Sequence, residues 1–378
     1  MKNILITGGA GFIGSNLALT LLKRGYTVTI LDNLSPQIHG EKAKEQSYLY
    51  LSIKDKVHFI EGSVTEKADW EKALINQDAI IHLAAETGTG QSMYQIARYS
   101  DVNIGGTALM LDILANSKTH QVQKVIIASS RSIYGEGKYL NKKGEIVYPH
   151  HRAAEQMSNG QFDLLDEEGN PLSLQATDES SKIHPSSVYG ITKQNQEQMI
   201  MTVCPTIGIE PVAYRYQNVY GPGQSLQNPY TGILSIFSTL IRSHKAINIF
   251  EDGKESRDFV YIDDVVQATL LGLEKEEANG QVFNVGTGVS TDVLTIAKLL
   301  IENYHIDVPL NISGNFRLGD IRHNYADLSK INTLLAYKPL YPFEEGLRKF
   351  CQWVITQSIM ENSYEASINE MRAKGLLK

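Results

Sequence analysis

Three glycines at fixed spacing near the amino terminus constrain the fold more than any other feature of this sequence. Gly8, Gly11 and Gly14 follow a short apolar run at residues 3–6 and lead into a segment, 12–23, whose apolar residues recur at helical spacing. A strand that passes through such a turn into a helix presents free backbone N–H groups to a phosphate, at the positive end of the helix dipole. The alternative is a glycine-rich turn without a ligand, and the strand before it and the helix after it favour the ligand.

Asp32, directly after the next apolar run at 27–31, indicates which ligand the glycine turn would bind. In dinucleotide-binding sheets, an acidic residue at this place accepts hydrogen bonds from the adenosine ribose and repels a 2′-phosphate. The neighbouring Asn33 and Leu34 are not basic. The sequence therefore predicts NAD rather than NADP. If the turn bound no phosphate, Asp32 would be an ordinary loop carboxylate.

Further apolar runs at 57–60, 79–83 and 125–128 alternate with helical patterns at about 67–75 and 106–116. Runs that are apolar throughout are typical of parallel strands that are covered on both faces. The alternation predicts an α/β fold, with a Rossmann-type doubly wound parallel sheet and a smaller α/β C-terminal domain for the substrate.

A polar stretch at 136–182 interrupts this alternation before a helical pattern at 188–203 and an apolar run at 211–215. We expect an insertion with little regular structure that serves partly as a lid. Residues 1–218 should then form the dinucleotide-binding domain, completed by about 260–285. Residues 219–259 and 286–378 should form the substrate domain, with a helical tail from 343 to about 376.

Tyr189 and Lys193 are the candidate acid–base pair, since they lie four residues apart on the helix predicted at 188–203. This spacing places both on one helix face, where an ammonium lowers the pKa of a phenol and so raises the fraction that is ionised and can accept a proton near pH 7. Ser130 follows the run at 125–128, at the sheet edge where ligands of open parallel sheets bind. The alternatives are an exposed helix pair and a serine that only terminates a strand.

The composition excludes several other classes of protein. With 35 basic and 42 acidic residues the net charge is −7, which argues against a nucleic-acid binder. Two cysteines and an isolated His150-His151 pair predict neither a disulfide scaffold nor a metal site. No apolar run approaches the roughly 20 residues of a membrane span, so we expect a soluble cytoplasmic protein without membrane association.

Taken together, these motifs resemble those of the extended short-chain dehydrogenase/reductases of the nucleotide-sugar epimerase/dehydratase family. The matching positions are 7–14, Asp32, 82–85, 103–107, 129–135, 189–193, Asn218 and 257–259. The resemblance implies an NAD-dependent enzyme that binds a nucleoside-diphosphate sugar, with Ser130, Tyr189 and Lys193 as catalytic residues. It also implies a homodimer formed through helices at about 103–117 and 188–203.

The resemblance extends to the residues that would contact the two ligands. The implied cofactor-binding residues are Gly8, Gly11, Phe12, Ile13, Gly14, Asp32, Asn33, Ser63, Val64, Leu83, Ala84, Ala85, Asn103, Ser129, Tyr189 and Lys193. Ser63 departs from the family, which usually has an aspartate there against the adenine. The candidate substrate-binding residues are Thr87, Ser130, Arg131, Asn218, Phe250, Arg257, Arg317 and Arg322. Arginine suits the diphosphate because its planar fork pairs with two oxygens, although each could instead form a surface ion pair.

The residues after Ser130 indicate the type of reaction. Family members that eliminate water carry an Asp-Glu pair at this place, whereas this chain has Arg131 and Ser132. The prediction is therefore an isomerase that inverts C4 of a nucleoside-diphosphate 6-deoxyhexose by transient oxidation to a 4-keto sugar. Other segments, including 88–94, 218–232 and 319–323, resemble the branch that acts on dTDP-L-rhamnose. The alternatives are an epimerase or reductase for a UDP-, GDP- or CDP-sugar, and a catalytically silent NAD-binding regulator.

Overall fold

A computed structural model describes residues 1–117, 119–226, 228, 230, 232–358 and 364–378. Its centre is a seven-stranded sheet in which every neighbouring pair of strands is parallel. From edge to edge the strands are Gln281–Val285, Glu210–Tyr216, Lys124–Ser130, Ala79–His82, Asn3–Thr7, Thr27–Asp32 and His58–Glu61. The strand order reverses beside Asn3–Thr7, and open α/β sheets bind their ligands at such a reversal.

The central strands are buried on both faces, as their continuous apolar runs predict. All seven residues of Lys124–Ser130 and all four of Ala79–His82 are buried. Ile4 and Ile6 pack into one core and Leu5 into another, because successive side chains of a strand point to opposite faces. The predicted α/β fold with a doubly wound parallel sheet is therefore confirmed.

Helices cover both faces of this sheet and extend beyond its edge. The predicted helices correspond to Phe12–Lys23, Lys67–Ala73, Gly106–Asn116 and Val188–Thr206. Short helices that follow the second strand are additional to the prediction, since runs of four to six residues carry too little periodicity. The other helices are Pro36–His39, Ala43–Gln46, Tyr48–Ile53, Thr89–Ser92, Ile96–Tyr99, Ser100–Gly105, Arg131–Tyr134, Ala154–Ser158, Ile233–Arg242, Ile262–Glu274, Glu276–Ala278, Val293–Tyr304, Ser329–Leu335, Phe343–Ile355 and Tyr364–Ala373.

Short strands outside the main sheet build the substrate side and the insertion. The polar stretch at 136–182 contains a three-stranded antiparallel sheet and one helix, and so has more regular structure than expected. The predicted helical tail contains two helices, and residues 359–363 within it lie outside the described residues. The short strands are Tyr139–Leu140, Ile146–Val147, Ser173–Leu174, Asn218–Tyr220, Ile247–Ile249, Ser256–Arg257, Phe259–Tyr261, Thr291–Asp292, Leu310–Ile312 and His323–Asn324.

In the described part of the chain, no helix combines the length and the apolar character that crossing a bilayer requires.

Candidate active site

A cavity of about 590 Å³ lies at the carboxyl ends of the parallel strands. One wall comes from the glycine turn and from the ends of Thr27–Asp32, Ala79–His82 and Lys124–Ser130. The other wall comes from segments after residue 216. The cavity therefore extends from the predicted dinucleotide site to the predicted substrate side.

The glycine turn fits a dinucleotide closely. A Cβ at Gly14 would lie 2.5 Å from the carbonyl oxygen of Gly8, so only glycine allows this close packing of turn and helix. No described side chain caps the first turn of Phe12–Lys23, which leaves that helix end for a phosphate. The Asp32 carboxylate accepts hydrogen bonds from the backbone N–H groups of Ala10 (2.9 Å) and Leu34 (2.8 Å). Asp32 thus fixes the turn as well as facing the cavity.

Nearly all of the predicted cofactor-binding residues line this cavity. Those that do are Gly8, Gly11, Phe12, Ile13, Gly14, Asp32, Asn33, Ser63, Val64, Leu83, Ala84, Ala85, Ser129, Tyr189 and Lys193. Asn103 does not, and its prediction as a contact residue is corrected. Its amide is fully buried, accepts a hydrogen bond from the Glu86 N–H (2.8 Å) and donates to Thr192 Oγ1 (2.9 Å). Asn103 therefore holds the loop that lines the cavity.

Ser130, Tyr189 and Lys193 all face the cavity. Ser130 ends its strand, and its Oγ accepts a hydrogen bond of 2.8 Å from the Ser132 hydroxyl. The other two lie on Val188–Thr206, whose first turn is capped by the Ser187 side chain accepting from the Gly190 N–H. The strand end and the helix thus bring together three residues separated by up to 63 positions in the sequence.

The electrostatics of Tyr189 differ from the prediction. Burial raises the pKa of its phenol, while a hydrogen bond with Ser130 and the positive charge of Arg131 oppose that rise. Lys193 was expected to supply this positive charge. Burial instead lowers the pKa of Lys193 to about 7, against the opposing effect of Glu197. In this state Arg131 is the cation that favours the Tyr189 phenolate.

A buried hydrogen-bond chain anchors Lys193. Its Nζ donates to Gln196 Oε1 at 2.7 Å, and Gln196 Nε2 donates to Thr107 Oγ1 at 2.8 Å. Thr107 lies 3.0 Å from His82 Nε2, whose other ring nitrogen lies 2.7 Å from Thr7 Oγ1. Sequence reasoning missed Gln196, although its place three residues after Lys193, on the same helix face, was a usable signal.

The substrate side of the cavity contains Thr87, Ser130, Arg131, Asn218, Phe250, Arg257 and Arg317. Arg131 Nε donates to Asn218 Oδ1 at 2.9 Å, so these two predicted residues form one unit. Arg317 lies over the Phe250 ring, 5.3 Å from its centre, and its side chain is 42% exposed. A cation next to an aromatic ring suits the diphosphate and base of a nucleotide.

Arg257 is held more firmly than the prediction implies. Its two terminal nitrogens donate to the carbonyl oxygens of Ser256, Ile321 and Arg322 and to Asp320. Asp320 also pairs with Arg317 at 3.0 Å. Of the two arginines, Arg317 is consequently the one with its guanidinium open to a ligand.

Arg322 does not line the cavity, and its predicted role is corrected. The side chain is fully buried and pairs with Asp163, Glu251 and Asp252 at 2.7–3.0 Å. A buried guanidinium needs such carboxylates, because removing a charge from water without partners is costly. The sequence around Arg322, which includes Arg317 and His323, does not indicate these carboxylate partners.

The structure gives the insertion at 136–182, predicted to serve partly as a lid, no direct contact with the cavity. Within the described residues, none from this stretch lines the cavity. Arg152, in the insertion, pairs with Glu251 at 2.7 Å and donates to the Asp320 carbonyl oxygen at 3.1 Å. The insertion packs behind the loops that carry Arg257 and Arg317.

Several residues that line the cavity were not predicted. His39 follows Asp32 on the dinucleotide side, while Asp320, Tyr230, Tyr364 and Met371 lie on the substrate side. Tyr230 and Asp320 lie in segments that carry the resemblance, but their spacing does not indicate a contact with a ligand, because the fold brings these residues together from distant parts of the chain.

The sequence of this chain is similar to those of known proteins. The family described as NAD dependent epimerase/dehydratase matches residues 4–155 and 165–286. A dTDP-L-rhamnose 4-epimerase from Burkholderia thailandensis is 37% identical over 363 residues, covering 96% of this chain and 97% of the relative. A putative UDP-glucose 4-epimerase from Methanocaldococcus jannaschii is 29% identical over 353 residues, covering 93% of this chain and 98% of the relative.

The fold of this chain is similar to solved structures of nucleotide-sugar 4-epimerases. A UDP-glucose 4-epimerase from Thermotoga maritima, with UDP-glucose, has a TM-score of 0.75 and 30% identity, covering 93% of this chain and 98% of that one. A UDP-glucuronic acid 4-epimerase from Bacillus cereus, in complex with UDP-glucuronic acid and NAD, has a TM-score of 0.76 and 27% identity, covering 93% of this chain and 99% of that one.

Proposed function

We propose a reaction for this chain from the premise that it belongs to the NAD-dependent epimerase/dehydratase family. It is an NAD-dependent nucleotide-sugar 4-epimerase, an isomerase. The observation that carries this conclusion is the convergence of Ser130, Tyr189 and Lys193 on one cavity, with Arg131 and Ser132 in place of the paired carboxylates used for elimination.

The chain's own residues supply the proton transfer. The chemistry that NAD supplies when bound is reversible removal of hydride from C4, which gives a transient 4-keto sugar. Tyr189 Oη takes the proton of the sugar 4-hydroxyl and later returns it. Ser130 Oγ orients that hydroxyl, and the Ser132 hydroxyl keeps Ser130 in place by donating to it. The charge of Arg131 favours the phenolate that this transfer needs.

The glycine turn, Asp32 and Lys193 would hold the cofactor. The uncapped helix end would bind the pyrophosphate, and the Asp32 carboxylate would accept hydrogen bonds from the ribose hydroxyls. Lys193 Nζ, now bonded to Gln196, would donate to the nicotinamide ribose. Because NAD is regenerated in each turnover, it should stay bound through the reaction.

For the substrate we propose a nucleoside-diphosphate 6-deoxyhexose, with dTDP-L-rhamnose as the first candidate. The 37% identity to a dTDP-L-rhamnose 4-epimerase over almost the whole of both chains supports this choice. Arg317 would pair with the diphosphate, Phe250 would pack against the nucleoside, and Thr87 would face the sugar. The other candidates are UDP-, GDP- and CDP-sugars, and relatives that act on UDP-sugars place the UDP-sugars first among them.

The test is a product assay on wild-type and variant protein. The wild type should interconvert dTDP-L-rhamnose and its C4 epimer, with the products separated by chromatography. Tyr189→Phe should slow this reaction by about 10²–10⁴-fold, the usual contribution of a general base, and keep its affinity for dTDP. Wild-type turnover in Tyr189→Phe would contradict the assignment.

The silent-regulator alternative predicts a different result. A regulator would bind NAD and give no reduced-nicotinamide absorbance with any of the four classes of nucleotide sugar, whereas the enzyme gives a transient signal with its own substrate. An epimer formed only from a UDP-, GDP- or CDP-sugar would replace dTDP-L-rhamnose as the substrate.

The proposal also includes a cytoplasmic homodimer that contributes to cell-surface polysaccharide biosynthesis. An exposed apolar side chain, Ile191, lies on the helix Val188–Thr206 that would form part of the interface. Sedimentation of the purified protein tests the dimer.

A further inference from the structure

Residues 364–378, called here the 364–378 strap, have no role in the mechanism above, yet they touch the site. The strap consists of the helix Tyr364–Ala373 and the residues that follow it. We infer that the strap forms the outer wall of the nucleotide-sugar half of the cavity, and that tight binding of a nucleoside diphosphate requires it to be docked. This inference rests on the proposed function and names a part of the substrate site.

Two side chains of the strap line the cavity itself. They are Tyr364 and Met371, on the same face of the helix seven residues apart. Met371 is 4% exposed and packs in one apolar cluster with Phe250, the residue proposed to contact the nucleoside. Its sulfur lies 3.2 Å from the point where a Cβ on Gly90 would stand. The strap therefore extends from the Phe250 side of the cavity to the short helix Thr89–Ser92.

A carboxylate fastens the strap to two other segments. Glu370 Oε2 accepts hydrogen bonds from the Tyr94 hydroxyl at 3.0 Å and the Tyr230 hydroxyl at 2.7 Å. Lys374 adds a contact, with its Nζ 5.9 Å from the centre of the Tyr94 ring. Hydrogen bonds to a charged acceptor are stronger than neutral ones, so Glu370 is the main polar attachment of the helix.

The backbone of the strap also holds the loop that carries Arg317. The Phe316 N–H donates to the Lys378 carbonyl oxygen at 2.9 Å, and the Lys378 N–H donates back at 3.0 Å. The Leu318 N–H donates to the Leu376 carbonyl oxygen at 2.9 Å. These bonds lie on both sides of Arg317, whose guanidinium would meet the diphosphate.

The chemistry of this wall suits a nucleoside diphosphate rather than the cofactor. Met371, Tyr364 and Phe250 offer apolar and aromatic surface to a planar base, and Arg317 offers a cation to the diphosphate. The glycine turn and Asp32 lie on the opposite wall, with no bond to the strap among the described residues. Loss of the strap should therefore weaken nucleotide binding without loss of NAD.

The test uses Glu370→Ala and, as a matched control, Glu365→Ala on the same helix. Glu365 is exposed and pairs only weakly with Lys245, at 3.6 Å, so the control makes the same chemical change without releasing the strap. Calorimetric titration of the NAD-bound protein with dTDP, UDP, GDP and CDP identifies the nucleotide that wild type binds. For that nucleotide, Glu370→Ala should raise Kd by about tenfold or more, the equivalent of one to two charged hydrogen bonds, and Glu365→Ala by less than about twofold.

A second measurement separates docking over the ligand from general stability. Saturating nucleotide should slow backbone amide exchange within residues 364–378 of the wild type, and bound NAD should be equal in all three proteins. Unchanged Kd in Glu370→Ala, or exchange in the strap that the nucleotide leaves unaltered, overturns the inference and leaves the proposed function standing. A wild type that binds none of the four nucleoside diphosphates overturns the proposed function and, with it, the inference.

Discussion

Replacing Lys193 by methionine should stabilise the cofactor-free protein although it removes a residue that we propose to be catalytic. The Lys193 side chain is 3% exposed, and burial lowers its pKa from 10.5 to about 7. Its positive form is therefore costly in the folded protein until a ligand accepts a hydrogen bond from it. Methionine has a similar length and no charge, so the variant avoids this cost.

The size of the effect follows from the pKa change. The lowering of the Lys193 pKa from 10.5 to about 7 destabilises the folded protein by about 5 kcal/mol well below pH 7. At pH 7, where half of the buried lysine is charged, the destabilisation is about 4 kcal/mol. The variant also leaves Gln196 Oε1 without the 2.7 Å hydrogen bond from Lys193, which offsets about 1–3 kcal/mol. The expected net gain at pH 7 is about 1–3 kcal/mol.

The sign of the pH dependence provides the assay. Between about pH 7 and 10.5 the unfolded lysine holds its proton and the folded one releases it, so wild-type stability rises with pH across this window. Urea unfolding of cofactor-free protein should show a gain of about 2 kcal/mol from pH 7 to pH 9 that Lys193→Met lacks. Lys67→Met, at an exposed helix site, is the control and should follow the wild type. Parallel curves for wild type and Lys193→Met would refute the reasoning.

Two further substitutions test the architecture of the site. Gly14→Ala places a Cβ 2.5 Å from the Gly8 carbonyl oxygen, so the turn must shift. The affinity for NAD, measured by fluorescence titration, should fall at least about tenfold. An affinity equal to that of the wild type would contradict this prediction. Glu197→Gln leaves the buried Arg215 without its 2.6 Å ion pair and should cost about 3–5 kcal/mol of unfolding free energy. Adding Arg215→Met to Glu197→Gln should recover part of that loss. A double variant no more stable than Glu197→Gln alone would show that the uncompensated charge of Arg215 does not cause the destabilisation.

Local patterns were enough to predict most of the residues that line the dinucleotide side of the cavity and the three proposed to be catalytic. The turn from Gly8 to Gly14, Asp32 and the Tyr189–Lys193 spacing each depend on residues close together in the chain, where strand and helix periodicities fix the side-chain directions. Ser130 could be placed for a similar reason, since parallel strands present their carboxyl ends at one edge.

Patterns of charge and polarity were less informative about individual side chains. Arg322 resembled a phosphate ligand in the sequence and is instead surrounded by Asp163, Glu251 and Asp252. Asn103 resembled a cofactor contact and instead bonds the Glu86 backbone. In both cases the partners are contributed by other segments, and a sequence pattern does not specify which polar group a buried side chain will meet.

The sequence by itself determined the doubly wound sheet, the glycine turn and the spacing of the proposed acid–base residues, because these follow from local periodicity and from the sterics of glycine. Only the tertiary structure decided which cation acts on Tyr189, that no described residue of the insertion lines the cavity, and that Tyr364 and Met371 do line it. Those outcomes depend on burial and on distances between segments far apart in the chain. Electrostatic effects and packing vary steeply with both quantities, and neither is encoded in the spacing of residues along the sequence.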